Sequence, residues 1–307
     1  MFRIALVNVL CTLLYVAPGY LLCRFRRATA DHLPSLSAVL IYICSPCLPV
    51  SAFLDLDFSW DLAANMGLFF VATLLIQGAF MAFLFLLFRR RHRDARYRML
   101  SIGAVLGNVG FFGLPIIRAL LPENPEAAGY SAVFIVSMNI LVFSMGVFCL
   151  TGNRKYMSLR PALLNPTIAG FAVALPLFLT GGRSYLPQVL QDIIHLMSRM
   201  TTPLCMIILG MRLSTVPLRR LFTQPFVYGI ALAKLLAFPL FAYGCALLLP
   251  LPASFRISIL ILSATPCASI ILNLAEMHRC QQEVAANCVL LSTLMCFLTI
   301  PLLTLLV

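Results

Sequence analysis

The sequence feature that most constrains the fold is an apolar segment whose centre is unsuited to a regular helix. The segment runs from about Leu100 to Leu121 and has the length of roughly 20 residues that a membrane-spanning helix needs. Its centre is unwound by three glycines, which permit irregular backbone, and by a proline without an N–H group: Gly107-Asn108-Val109-Gly110-Phe111-Phe112-Gly113-Leu114-Pro115. Irregular backbone at membrane depth survives only where protein or a water-filled cavity satisfies it. The segment therefore predicts a broken helix that presents backbone groups and the Asn108 amide inside the membrane.

Composition identifies the chain as a polytopic membrane protein. Hydrophobic residues make up 62% of the 307 positions and charged residues only 10%, against about 25% charged in soluble domains. The net charge of +12 is concentrated in short loops between apolar runs, where it orients helices, so no nucleic-acid partner is expected. Most cysteines lie in apolar runs and are interpreted as packing residues, including the Cys44-Ser45-Pro46-Cys47 pair. No metal or other cofactor is expected.

Ten apolar segments predict the fold class, an all-α polytopic membrane protein with ten transmembrane helices. They are Ile4–Leu22, Leu33–Leu54, Leu62–Phe88, Met99–Leu121, Ala128–Leu150, Pro161–Thr180, Pro187–Met211, Pro225–Leu249, Phe255–Met277 and Val284–Val307. The first segment is followed by arginines rather than by a small-residue cleavage site, so it is interpreted as a retained helix.

The basic residues predict the orientation. They cluster in every second loop, at Arg24, Arg26 and Arg27, at Arg89, Arg90, Arg91, Arg93, Arg96 and Arg98, at Arg154, Lys155 and Arg160, at Arg212, Arg219 and Arg220, and at Arg279. By the positive-inside rule these loops are cytoplasmic. Both termini then lie outside the cytoplasm, which requires an even number of spans. We expect a multi-pass protein of the cell inner (plasma) membrane, with the lipid bilayer around it.

The basic linker divides the ten segments into two halves of five. The predicted units are residues 1–150 as a first repeat, 151–160 as a cytoplasmic linker, and 161–307 as a second repeat. Because five is odd, the second half is inverted, which is typical of secondary transporters, and their binding sites lie at interrupted helices in corresponding positions. The fourth segment is interrupted as described, and the ninth carries Ala264-Thr265-Pro266-Cys267-Ala268-Ser269.

These interruptions suit an anion. A helix that restarts after a break presents free N–H groups and the positive end of its dipole. Pro115 is suited to the first position of one restart, and Thr265-Pro266 reads as an N-cap followed by a first-turn proline. Asn108, Thr265 and Ser269 can add donors, and Gly110 lies within the unwound stretch. We therefore predict a substrate-binding site for an organic anion where the fourth and ninth segments meet.

Further polar residues lie within apolar segments. Lys234 lies near the middle of the eighth segment, where it can neutralise a substrate charge or pair with a carbonyl or carboxylate. Asn139 and Asn287 lie in the fifth and tenth segments, and either can face the crossover. Asp192, His195 and Arg199 share one helix face; an ion-pair cluster at the outer interface and a proton relay are both open.

Several motifs resemble the auxin efflux carrier family: the Asn108–Pro115 stretch, the ninth-segment Pro266, Asn165-Pro166-Thr167-Ile168-Ala169-Gly170, and Pro203-Leu204-Cys205-Met206-Ile207-Ile208-Leu209-Gly210-Met211-Arg212-Leu213. The resemblance covers nearly the whole chain, which looks like a bacterial member without the long cytoplasmic loop of many plant members. It implies two inverted repeats, a crossover of spans four and nine, a scaffold of spans one, two, six and seven, and an elevator-like transport domain. It also implies that Asn108 is a carboxylate ligand and that Pro115 and Pro266 shape the crossover. A homodimer through the scaffold helices is a further expectation.

The sequence thus favours a secondary carrier of small organic anions such as mono- or dicarboxylates. Carboxylates that could bind a coupling cation are scarce within the apolar segments, which favours export or facilitated movement. The alternative is a sodium- or proton-coupled organic-anion symporter of the bile-acid-carrier type, which has a similar crossover. An intramembrane enzyme is disfavoured because neither a His-Glu-x-x-His nor a Gly-x-Ser-x-Gly motif occurs. A membrane sensor without flux is the remaining alternative.

Overall fold

Helices make up all the regular secondary structure in the computed structural model, which describes residues 1–158, 160–216, 221–249 and 251–307. This confirms the all-α prediction; Arg219 and Arg220 of the predicted cytoplasmic loops lie outside the described residues. In chain order the main helices are α1 (Phe2–Arg24), α2 (Ala30–Leu54), α3 (Trp60–Leu87), α4 (Ala95–Gly103), α5 (Val109–Leu120), α6 (Glu126–Thr151), α7 (Pro166–Leu179), α8 (Gln188–Thr215), α9 (Pro225–Leu247), α10 (Ala253–Ser263), α11 (Ile270–Met277) and α12 (Gln282–Leu306).

Seven of the described helices are long and apolar enough to cross a membrane: α1, α2, α3, α6, α8, α9 and α12. An eighth results if Arg154–Leu163 and Pro166–Leu179, which are bent by 48°, form one span. The helices α5 and α10 are apolar but shorter. The protein is therefore a multi-pass helical membrane protein, and the ten-span inverted repeat with its division between residues 150 and 161 stays a prediction.

Helix starts follow the capping signals in the sequence. The Ser59 hydroxyl accepts a hydrogen bond from the Leu62 N–H group at 3.1 Å ahead of α3. Asn165 caps α7 by accepting from the Thr167 N–H group at 2.9 Å, and Pro166 takes the first position, where its missing N–H group costs nothing. The order Asn-Pro-Thr thus sets the start of α7.

The helices fall into two packed groups. The first, here called the scaffold group, consists of α1, α2, α7 and α8, in which α7 packs on α2 and α8 packs on α1 and α2. Backbones approach closely here: a Cβ added at Gly170 would overlap the Pro46 carbonyl, and one added at Gly210 would overlap the Val16 carbonyl. Small residues allow such close packing between membrane helices, where hydrophobic driving force is absent.

The second group, here called the crossing group, consists of α3 to α6 and α9 to α12. Within it α3 packs on α6, and α9 packs on α10 and α12. The two groups touch where α2 meets α6, where α8 meets the start of α5, and where α1 meets α12 and α5. The interrupted segments α4/α5 and α10/α11 both belong to the crossing group.

Candidate functional site

The two interruptions lie side by side and pair through their backbones. The Asn108 N–H group donates to the Pro266 carbonyl at 2.7 Å, and the Ala268 N–H group donates to the Leu106 carbonyl at 3.0 Å. Gly107 and Cys267 form an isolated antiparallel bridge between these bonds. The unwound backbone of each segment therefore satisfies that of the other, which meets the requirement for irregular backbone at membrane depth.

Neighbouring helices complete this pairing, here called the crossing. The Cys267 N–H group donates to the Ser292 hydroxyl of α12 at 2.9 Å. The Cys267 thiol donates to the Gly103 carbonyl, the last residue of α4, at 3.3 Å. Both contacts are fully buried, where an unpaired polar group would be costly.

Gly107 is required by the close approach of the two segments. A Cβ at this position would overlap the Thr265 hydroxyl and would come within 2.9 Å of the Lys234 Nζ atom. Thr265 and Lys234 are 0% and 1% exposed, respectively, so neither can move into open space. A side chain at residue 107 would push the segments apart.

Each helix restart begins at a different residue from the one that the sequence analysis marked, the first because an additional turn precedes it. The helix α5 begins at Val109 with a π-helical turn to Gly113, and its α-helical part begins at Leu114 with Pro115 in the first turn. The restart comes early because the Asn108 carbonyl already accepts from the Phe112 and Gly113 N–H groups, each at 3.1 Å. Pro115 thus stands in the first turn of the α-helical part, as predicted, and the π-helical turn adds one turn ahead of it.

The second restart is also displaced. The N-cap of α11 is Ser269, not Thr265. The Thr265 hydroxyl donates to the Leu262 carbonyl at 2.7 Å, so it closes the end of α10 instead of opening α11. Pro266 lies in the unwound stretch and contributes its carbonyl to the crossing.

A cavity of about 330 Å³ lies against one side of the crossing. It lies between the two helix groups and is lined from the crossing group by four of the predicted site residues: Asn108, Gly110, Asn139 and Ser269. Polar residues from the scaffold group complete the lining, namely Ser45 of α2, Asn165 and Thr167 at the start of α7, and Arg212 of α8. The remaining wall is largely apolar, as is usual for small-molecule sites.

The Asn108 amide is the polar side chain best placed to meet a ligand at the crossing. It is 8% exposed, and its Nδ2 atom has one weak contact, with the Cys205 Sγ atom at 3.9 Å. By contrast, the Asn139 amide is engaged: its Nδ2 atom donates to the Ile135 carbonyl at 2.8 Å, and its Oδ1 atom accepts from Asn165 at 3.2 Å. Asn108 thus retains donor capacity towards the cavity.

Four predicted site residues do not line this cavity. Thr265, Pro266 and Lys234 lie behind or within the crossing, and Pro115 lies further along α5. The Lys234 Nζ atom donates to the Ser263 carbonyl at 2.6 Å. Asn287 likewise lies outside the cavity, because its amide donates to Gln224 at 3.2 Å. These residues shape the crossing or its surroundings instead of contacting the cavity.

Sequence reasoning missed Arg212, Asn165, Thr167, Ser45 and Asn273 as cavity residues. Arg212 was counted with the loop charges, yet it follows Cys205 by seven residues, which is two helical turns and therefore the same face. Asn273 follows Ser269 by four residues and lies on the same face of α11. For Asn273 the available signal was its spacing from Ser269, a predicted site residue; Cys205 had been interpreted as a packing residue, so no predicted site residue pointed to Arg212.

The charged groups differ between the two sides of the crossing. At the mouth of the cavity the Arg212 Nη1 atom lies 4.0 Å from the Glu276 Oε1 atom. On the other side a second cavity of about 440 Å³ is lined by Asp55, Arg118, Asp192, His195, Leu196 and Arg199. The trio Asp192, His195 and Arg199 thus lies together, as predicted from its spacing.

One ion pair joins the two helix groups beside the second cavity, and a second lies within the scaffold group. The Arg118 Nη2 atom at the end of α5 lies 3.0 Å from the Oδ2 atom of Asp55, the residue that follows α2, and the His195 Nε2 atom of α8 lies 3.6 Å from Asp55 Oδ1. Arg118 and His195 also contact the Ser51 hydroxyl, at 3.3 and 3.1 Å. Of the trio, His195 takes part in an ion pair, with Asp55, whereas Asp192 accepts a hydrogen bond from Gln188 at 2.9 Å.

An apolar multi-pass helical chain with a cavity that holds a few polar groups at paired, interrupted helices has the features of a membrane transport protein. A family model described as "Membrane transport protein" matches residues 4–162 and 153–304. The chain therefore belongs to this family, the auxin efflux carrier family whose motifs it shares, and its general role is transport across a membrane. It is similar to an uncharacterized transporter of Methanocaldococcus jannaschii, with 23% identity over 96% of each chain.

Proposed function

We propose that the protein is a secondary carrier of small organic anions, such as mono- or dicarboxylates, and that a substrate carboxylate binds at the crossing. The observation that carries this proposal is the position of Asn108. Its amide faces the cavity, and the residue caps the start of α5. A carboxylate there accepts hydrogen bonds from the amide and meets the positive end of a helix dipole.

The second interruption places another positive helix end at the same cavity. Ser269 and Ile270, where α11 begins, also line the cavity. Each helix start contributes about 0.3–1 kcal/mol to anion binding, and up to ~2 kcal/mol when partly buried. Desolvation of a carboxylate costs several kcal/mol, so the two starts and the amide roughly offset it. We therefore expect modest affinity, which suits a carrier that must release its substrate.

The division into two helix groups supports the further proposal of an elevator-type movement. The cavity lies between the scaffold group and the crossing group, so movement of the crossing group would carry Asn108 and Ser269 past Cys205 and Arg212. The cavity opens towards the Arg212 end of α8, which the positive-inside pattern assigns to the cytoplasm. We assign the structure to an inward-open state, with Asp55 and Arg118 on the closed outer side.

The membrane topology proposed for this carrier has ten spans, with both termini outside the cytoplasm. The eight candidate spans and the two interrupted segments support that number. Export of an anion is favoured by a negative-inside potential, by about 2.3 kcal/mol per charge per 100 mV. No Asp or Glu among the described residues is buried, which supports export or facilitated movement over coupling to a bound cation.

The test is transport by the purified protein in proteoliposomes, with a panel of labelled mono- and dicarboxylates. Asn108→Ala should lower transport by about tenfold or more, because it removes a hydrogen bond to a charged group worth about 1.5–3 kcal/mol. Asn8→Ala is the matched control, since this exposed amide bonds only the Ile4 carbonyl of its own helix, at 2.9 Å. Wild-type rates in a folded Asn108→Ala variant, for every carboxylate transported, would refute the assignment.

A further inference from the structure

Lys234 is the one Asp, Glu, Lys, Arg or His among the described residues that is buried, with 1% of its surface exposed. It lies in a π-helical turn, Ala233–Ala237, within α9. A charge in such a position needs specific partners, and ionisable residues inside a membrane protein are usually functional. The substrate cavity does not include Lys234, so its role lies elsewhere.

The partners of Lys234 are a backbone carbonyl and an aromatic face. Its Nζ atom donates to the carbonyl of Ser263, the last residue of α10, at 2.6 Å. The same atom lies 4.8 Å from the centroid of the Phe238 ring. It also lies beside Gly107, where an added Cβ would come within 2.9 Å of the Nζ atom. The ion pairs found among the described residues do not include it.

This position has a chemical meaning in a carrier with interrupted helices. The last carbonyls of a helix have no partner within it and form the negative end of its dipole. Secondary transporters use such half-helix ends and unwound carbonyls to bind their coupling sodium ion or proton. Here the end of α10 is occupied by the Nζ atom of the chain's own Lys234.

We propose that Lys234 is a built-in cation that takes the place of a coupling ion at the crossing. The ammonium group neutralises the carbonyl end of α10 and holds it against Gly107, so the crossing is complete without sodium. This inference rests on the proposed carrier function. It separates the protein from a sodium-coupled symporter of similar architecture, in which the cation enters from solution in every cycle.

The first test needs no variant. Carboxylate transport by the wild-type protein in proteoliposomes is compared in sodium and in N-methylglucamine buffers of equal ionic strength. Equal rates are expected, because the cation site is already filled. Transport that requires sodium would overturn the proposal.

The second test replaces the tethered cation by a free one. Lys234→Ala removes a propylammonium group, and we expect transport in N-methylglucamine buffer to fall by about tenfold or more. Added n-propylammonium or sodium should restore it, whereas n-propanol, of similar size but uncharged, should not. Lys234→Met fills the space without a charge and should stay inactive in every buffer.

Several outcomes would contradict the assignment. Wild-type rates for Lys234→Met, equal rescue by n-propanol, or a loss that no cation restores would each mean that Lys234 acts through packing alone. A readout without substrate separates this proposal from the carrier function. The melting temperature of Lys234→Ala should rise with n-propylammonium, while that of the wild type should not. A wild type that moves no carboxylate would refute the carrier function and leave this measurement to decide the role of Lys234.

Discussion

Gly107→Ala tests whether the close pairing of the two interrupted segments holds the fold together. The added methyl group would take the space of the Thr265 hydroxyl and come within 2.9 Å of the Lys234 Nζ atom. Both neighbours are held by buried hydrogen bonds, from Thr265 to the Leu262 carbonyl at 2.7 Å and from Lys234 to the Ser263 carbonyl at 2.6 Å. The methyl group can fit only if these bonds weaken or the segments separate.

The expected loss in the free energy of unfolding can be worked out from those two hydrogen bonds. A neutral hydrogen bond contributes about 0.5–1.5 kcal/mol and one to a charged group about 1.5–3 kcal/mol. Replacing glycine also lowers the conformational entropy of the unfolded chain, which stabilises the folded state by about 0.4–1 kcal/mol and offsets part of this loss. The expected loss in the free energy of unfolding is therefore about 1–4 kcal/mol. Transport should fall as well, because Asn108 is the next residue and its amide would shift relative to the cavity.

The assay is unfolding in mixed micelles together with transport in proteoliposomes. The matched control is Gly67→Ala in α3, where an added Cβ would have no neighbour within 4 Å. In an open helical position this change should stabilise the protein by about 0.5–1 kcal/mol. If Gly107→Ala were as stable and as active as Gly67→Ala, the close pairing of the two segments would be refuted.

Three further substitutions test other parts of the structure. Gly170→Ala should lower the free energy of unfolding in mixed micelles by about 1–3 kcal/mol through overpacking, because the new Cβ would overlap the Pro46 backbone. Unchanged stability would contradict the close contact of α7 with α2. Arg118→Gln should lower the free energy of unfolding by less than about 1 kcal/mol, because the Arg118 and Asp55 side chains are 33% and 41% exposed. A larger loss on thermal unfolding would show that the pair holds the helix groups together. Arg212→Gln should weaken binding of a carboxylate by about tenfold, measured by ligand-induced thermal shift, and an unchanged shift would remove Arg212 from the site.

The part of the fold that could be predicted from sequence is the part set by composition and backbone chemistry. Apolar length marked the long helices, and the glycines with Asn108 marked the first break. The second break at Thr265-Pro266 was found the same way. In each case the signal is local, because glycine and proline change the backbone wherever they stand.

The details of the site could not be predicted because they depend on contacts distant in sequence. The restart at Val109 follows from hydrogen bonds that the Asn108 carbonyl makes in a π-helical turn, which the position of Pro115 does not reveal. Lys234 was identified as an unusual intramembrane charge, but its partner, Ser263, is known only once α9 is packed on α10. Arg212 looked like one loop charge among many until α8 was placed beside the cavity.

The two segments of the crossing are joined to each other mainly through backbone atoms. Its two principal hydrogen bonds use the N–H and carbonyl groups of Leu106, Asn108, Pro266 and Ala268, and none of them requires a particular side chain. A substitution at the cavity wall can therefore change which molecule is recognised while the joint between the two segments stays intact. Such a division lets specificity diverge among related carriers without each change having to rebuild the structural centre of the protein.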